Sequence, residues 1–163
     1  MKREEWKVYV FWVLLAEAVG ILSGLLSREG IRAFSEVAVQ PPFSPPAVVF
    51  PVVWSVLYAL MGLGAARIWL SGPSSSRDRG LDLFVAQLVL NFFWTPIFFN
   101  LQAYGLALVW LLALWVLVFW MIFEYRKVDK VAAWSQVPYL IWLTFAVYLS
   151  AGVWALNACG RSL

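Results

Sequence analysis

A chain of 163 residues that is 63% hydrophobic and only 13% charged, with a mean hydropathy of +0.81, is too apolar for a water-soluble domain. Its net charge of +3 comes from scattered basic residues, which excludes a nucleic-acid-binding surface. Histidine is absent, which removes zinc-hydrolase sites, a Ser-His-Asp triad and imidazole-ligated haem, and the single cysteine, Cys159, cannot close an internal disulfide.

The pattern predicts an all-α integral membrane protein, one domain over 1–163. It is a bundle of five transmembrane helices at roughly 6–26, 46–70, 81–101, 103–124 and 132–156. Each span is long enough as a helix to cross about 30 Å of hydrocarbon. The apolar runs are continuous rather than alternating, which excludes barrel strands. The first span is too long for a signal-peptide core and has no convincing cleavage site, so it is expected to stay in the mature chain. It holds Glu17, an acid in a span interior that fits a proton or ligand site, a helix partner or a subunit interface. Ala16, Gly20 and Gly24 form a row of small residues, as do Gly62 with Ala66 and Ala103 with Ala107. Such rows suit close helix contact inside the bundle or between copies.

The polar link 27–45 is the longest and ends in Gln40-Pro41-Pro42-Phe43-Ser44-Pro45-Pro46, stiff enough to serve as a lid loop. The second span carries Pro51, Trp54 and Tyr58. Residues 71–80 read as a flexible turn. On the third span Gln87, Asn91 and Trp94 share one helical face, and Pro96 follows. Buried amides need partners, so this face meets either neighbouring helices or a ligand. The connection at 101–103 is so short that the third and fourth spans form an antiparallel hairpin. The fourth span holds Trp115; a polar link at 124–131 leads to Pro138, Trp142, Phe145 and Ala146 on the fifth. Pro51, Pro96 and Pro138 are each expected to kink a helix and free a carbonyl. Nine Lys and Arg on the side of the N-terminus, against three opposite, put the N-terminus in the cytoplasm and the C-terminus and lid outside.

Tryptophan is the strongest compositional excess, at 11 residues. Interface anchoring accounts for Trp6, Trp69, Trp134 and Trp154. It does not account for Trp54, Trp94, Trp115 and Trp142, which fall well inside their spans. Bundle core or the lining of one shared pocket remain for these, and at 1.5 Å per residue Trp54, Trp94 and Trp142 sit at mid-depth or toward the lid.

The run Phe50-Pro51-Val52-Val53-Trp54-Ser55-Val56-Leu57-Tyr58, with the preceding Pro-rich motif, resembles the TspO/MBR family. These are the tryptophan-rich sensory proteins, related to the mitochondrial translocator protein or peripheral benzodiazepine receptor. Gln87 to Phe99 and Pro138 to Asn157 resemble that family's third and fifth helices, in order, over nearly the whole chain. The resemblance implies a five-helix bundle, often a homodimer. It implies binding of tetrapyrroles such as protoporphyrin IX and haem, of sterols or other lipids, and of benzodiazepine-site drugs. Ligand-binding residues carried over by motif are Trp54, Asn91, Trp94, Trp142 and Ala146, and Tyr58 and Phe145 adjoin them. Trp54 and Trp142 would flank the macrocycle, and Asn91 would hydrogen-bond a polar group on it. Gln40 stands where the family often has lysine, and Asn100 where it has glycine.

Three functions follow as expectations. The first is a membrane receptor or sensor for tetrapyrroles and hydrophobic lipid or drug ligands. The second is a light- and oxygen-dependent porphyrin degrader with Trp54 and Trp142 as catalytic candidates; the third is a porphyrin or sterol transporter. No metal and no required cofactor is expected, porphyrin or haem being ligands, and the location expected is a bacterial cytoplasmic membrane.

Overall fold

The structure, a computed structural model, describes residues 4–158. Cys159 and Arg161, and with them Lys2 and Arg3 of the charge count, lie outside the described residues. The helices are α1 (Glu5–Leu26), α2 (Arg28–Val37), α3 (Val49–Leu70), α4 (Ser75–Thr95), α5 (Tyr104–Val128) and α6 (Lys130–Ala158). A π-helical segment, Pro96–Asn100, extends α4. All but α2 are long and apolar enough to cross a membrane.

The five long helices close into a ring in the order α1, α3, α6, α5, α4, with α4 returning to α1. One end of the ring, here the basic end, carries the start of α1 and the α3–α4 and α5–α6 links. The other, the lid end, carries α2 and residues 38–48. Large apolar side chains such as Phe11, Leu14, Leu112, Phe119 and Ile141 point outward and are exposed, as hydrocarbon solvent requires. Trp6, Trp69, Trp134 and Trp154 are also exposed, near the helix ends where interface anchors belong.

Small residues set the spacing of the ring. A Cβ on Gly62 would come within 2.5–2.7 Å of the Trp12 and Val13 backbone, so α1 and α3 touch main chain to main chain. Ala16, Ala66 and Ala107 are fully buried, and Gly20 packs against the Tyr58 ring. These rows are therefore used largely inside the bundle, although Gly24 has open space beside it.

Several boundaries differ from the sequence reading, each for a local reason. The link 27–45 is not all loop. Arg28–Val37 is an amphipathic helix whose Phe34 packs on Phe98 and Phe99, at ring distances of 5.4 and 5.2 Å. The turn at 71–80 is shorter, because Ser74 accepts a hydrogen bond from the Arg77 N–H (3.1 Å) and caps α4 from Ser75 onward. The polar link at 124–131 shrinks to one residue, Asp129, and Glu124 belongs to α5, buried beside Lys127 at 2.8 Å. Pro51 does not kink α3: it lies in the first turn, where its missing N–H has no intrahelical acceptor. Pro96 does disturb its helix. It cannot bond the Phe92 carbonyl, which instead accepts from the Ser23 hydroxyl of α1 at 2.7 Å. The tight turn after the π segment is made by Gln102 in the left-handed region (φ 49°), while Asn100 donates to the Leu26 carbonyl at 3.2 Å.

Asp129 closes the α5–α6 hairpin. Its carboxylate accepts from the Val131 and Ala132 N–H groups (2.7 and 2.9 Å) and pairs with Arg67 of α3 at 2.7 Å. Burial pushes this carboxyl up, but the Arg67 guanidinium and the two N–H groups outweigh it and hold it below the usual range. A lowered pKa in the fold means stability present at neutral pH and lost on acidification. Asp129→Asn should lower stability by about 1 kcal/mol at pH 7, the modest value of a pair whose arginine is over a third exposed. The gap to wild type should narrow as pH falls below about 4, the ordinary aspartate pKa. Thermal melting in detergent across pH checks both points.

Candidate ligand site

Across the middle of the ring runs a chain of buried hydrogen bonds that joins three helices. Tyr58 of α3 donates its hydroxyl to Asn91 Oδ1 at 2.8 Å. Asn91 of α4 donates Nδ2 to the Tyr139 hydroxyl of α6 at 2.7 Å, and Tyr139 donates to Gln87 Oε1 at 3.1 Å. Gln87 Nε2 then rests on the Met61 sulfur at 3.7 Å. All four polar residues are buried. The shared face of Gln87 and Asn91 thus meets neighbouring helices, and both amide atoms of Asn91 are engaged by tyrosines.

Helix direction then arranges the tryptophans. α4 and α6 run from the basic end to the lid end, and α3 runs the opposite way. Trp94 is three residues after Asn91, Trp142 three after Tyr139, and Trp54 four before Tyr58, so all three fall about one turn (roughly 5 Å) on the lid side of the network. Each is half-buried. Trp54 packs on Tyr58 and Tyr139 at 5.5 and 6.1 Å. Trp142 meets Phe50 and Phe145 at 6.0 and 5.6 Å, and Phe145 stacks on Tyr148 at 6.2 Å. Trp94 stacks on Phe98 at 5.0 Å, with its indole N–H buried and without a hydrogen-bond partner. Ala146, one turn above Trp142, adds a small half-buried surface. Tyr58 and Asn91 therefore belong to a polar floor, and Trp54, Trp94, Trp142, Phe145 and Ala146 to an aromatic layer above it. Trp115 stands apart: it stacks on Phe119 at 5.6 Å and donates to the Thr144 hydroxyl at 2.9 Å on the α5–α6 seam.

The lid is tied to α6 at three levels, which sequence reasoning did not find. Asn157 binds Val39 twice, accepting from its N–H at 3.1 Å and donating to its carbonyl at 2.9 Å. Tyr148 donates to the Pro42 carbonyl at 2.9 Å. Gly152 leaves no room for a Cβ beside Pro41, the nearest ring atom being 2.5 Å away. Beside this latch opens a cavity of about 580 Å³ between α2, the start of α5 and the end of α6, lined in part by Phe34, Tyr104, Trp154 and Asn157. None of the ligand-binding residues expected from sequence (Trp54, Tyr58, Asn91, Trp94, Trp142, Phe145 and Ala146) lines it directly. Phe34 and Tyr104 connect it to Trp94 through Phe98, at ring distances of 5.4 and 5.1 Å. Glu17 lies half-buried on α1, and no described residue gives it a hydrogen bond or ion pair.

Comparison with known proteins gives one consistent result. The sequence profile of the TspO/MBR family matches residues 12–155. The chain is 35% identical over 160 residues to a translocator protein from Bos taurus, covering 96% of this chain and 94% of that protein. It is 32% identical over 144 residues to the tryptophan-rich protein TspO of Chlorobaculum tepidum, covering 88% and 91%. It is 35% identical over 118 residues to a tryptophan-rich sensory protein of Cereibacter sphaeroides, covering 72% and 73%.

Tyr58→Phe should cost about 1–3 kcal/mol, because it strands the Asn91 carbonyl in the core, and a lowered melting temperature in detergent would report it. Asn157→Ala should speed amide hydrogen exchange at residues 38–40 while leaving the global melting temperature nearly unchanged, since its two bonds to the lid are exposed and its third, to the Val153 carbonyl, lies within the last turns of α6.

Proposed function

The chain belongs to the TspO/MBR family of integral membrane proteins, and on that premise we propose that it is a receptor or sensor for flat, largely apolar ligands of the tetrapyrrole kind. The ligand lies between the aromatic layer and the lid. The observation that carries this reading is the buried Trp94 indole N–H, left without an acceptor among aromatic faces. A buried donor with no partner costs about 1–3 kcal/mol, and a ligand acceptor would recover it. Trp54 and Trp142 supply faces for stacking, so apolar burial provides most of the affinity and the indole N–H provides orientation. Asn91 reaches a ligand only by exchanging one of its tyrosine partners. Since the chain has no histidine, metal-free porphyrin binds about as well as haem. Sterols and benzodiazepine-site drugs are read as competitors for the same space. The basic end, with seven of the nine Lys and Arg among the described residues, is read as the cytoplasmic face of a bacterial inner membrane.

Titration of the purified protein with protoporphyrin IX in the dark, followed by tryptophan quenching, tests the reading. Trp94→Phe keeps the ring and removes the donor, and should weaken binding about tenfold, or about 1.4 kcal/mol. Trp54→Ala should weaken it at least as much. Unchanged affinity in both would remove the site from this layer. Under illumination, one defined product that disappears in Trp54→Phe and Trp142→Phe would favour a degrading enzyme, and unselective bleaching the receptor. Ligand flux into sealed vesicles would favour a transporter.

A further inference from the structure

The basic end sorts its cations unevenly. Lys7 pairs with Glu4 at 2.5 Å, Arg67 with Asp129 at 2.7 Å, and Arg77 with Asp78 at 2.8 Å. Glu124 holds Lys127 at 2.8 Å and Arg79 at 4.0 Å. Among the described residues of this end, Arg126 and Lys130 are the basic side chains without an acidic partner. Both line one cavity of about 440 Å³ on the α5–α6 seam. Its remaining walls are Ile122, Ala133, Trp134 and Val137.

The layout of this groove has a direction. Arg126 lies in the last turn of α5 and Lys130 opens α6, so both charges sit at its outer rim. Ile122 is one turn back along α5 and Val137 two turns onward along α6, roughly 6 and 10 Å deeper into the spanning part of the bundle. Trp134, 72% exposed, stands between the two levels, where an interfacial tryptophan belongs. Two like charges side by side repel unless an anion lies between them. The apolar floor beneath them faces hydrocarbon, where neither a free anion nor a soluble protein segment would rest.

We propose that this groove binds one anionic phospholipid of the leaflet that the basic end meets. Its phosphodiester lies between Arg126 and Lys130, and an acyl chain runs over Ile122, Ala133 and Val137. Charge at the rim with hydrocarbon below matches an anionic lipid and not a zwitterionic one, whose own cation would meet two more. The site lies at the opposite end of the bundle from the aromatic layer and stands independently of the ligand proposed there.

The full-length protein in neutral detergent would be titrated with dioleoylphosphatidylglycerol and with dioleoylphosphatidylcholine, and bound lipid counted by native mass spectrometry. The expected result is one phosphatidylglycerol bound at least tenfold more tightly than phosphatidylcholine. Arg126→Gln with Lys130→Gln should abolish that preference. Arg28→Gln with Arg32→Gln, the same charge change at the lid end, should keep it, and so should the swap Arg126→Lys with Lys130→Arg. All four positions are exposed, so melting temperatures should stay unchanged. A preference that survives Arg126→Gln with Lys130→Gln would overturn the proposal. So would displacement of the lipid by an equal concentration of glycerol 3-phosphate, which would mark a free-anion site.

Discussion

In hydrocarbon a polar side chain has no water to turn to, and the Tyr58–Asn91–Tyr139–Gln87 chain is how this bundle meets that constraint. The chain ties α3, α4 and α6 at one level; α3 and α6 are neighbours in the ring, and the bonds to α4 reach across it. Because each of its bonds needs the next helix at a fixed height, it sets the register of the three. The tryptophan layer then follows from helix direction alone, one turn toward the lid on each. Small residues in the rows on α1 and α3 let the backbones come close enough for the tyrosine rings to reach inward.

The lid uses a different chemistry. Its ties are main-chain carbonyls and one N–H held by Asn157 and Tyr148, with Pro41 seated against Gly152. These bonds lie at the exposed end of the bundle, where water competes for every partner. The floor is therefore the stiff part of the candidate site and the lid the part that can open. Phe43, 88% exposed with φ at 65°, sits in the lid's tightest turn and marks where its backbone is held least comfortably.

How much of this was legible depends on which interactions leave a local trace. The five spans and their order follow from unbroken apolar runs, and the Gln87–Asn91–Trp94 face from helical spacing. The partners of that face left no trace: Tyr58 and Tyr139 read as two aromatics among many, and only the fold brings them to one amide. Helix α2 was missed because its apolar residues, Ile31, Phe34 and Val37, are interrupted by Arg28, Glu29, Arg32 and Glu36, an amphipathic rather than a membrane-spanning pattern. Residues 124–131 read as a link because helices that end at a membrane surface carry their charges inside their last turns. The latch between Val39 and Asn157 spans 118 residues of sequence, and no periodicity reports a contact of that range.

The order of the ring also bears on how the protein is made. Asn91 and Tyr139 are 48 residues apart, so at roughly 5–20 residues per second the ribosome needs roughly 2–10 s to supply the second after the first. Over that interval α4 is already synthesised, and of their partners in the network its two amides have Tyr58 and the Met61 sulfur of α3 but not Tyr139. The final helix both fills the gap between α3 and α5 and relieves that unmet demand. Release of a nascent chain truncated before α6 would leave an open ring with polar groups facing lipid, the kind of exposed hydrogen-bonding surface that membrane quality control can recognise.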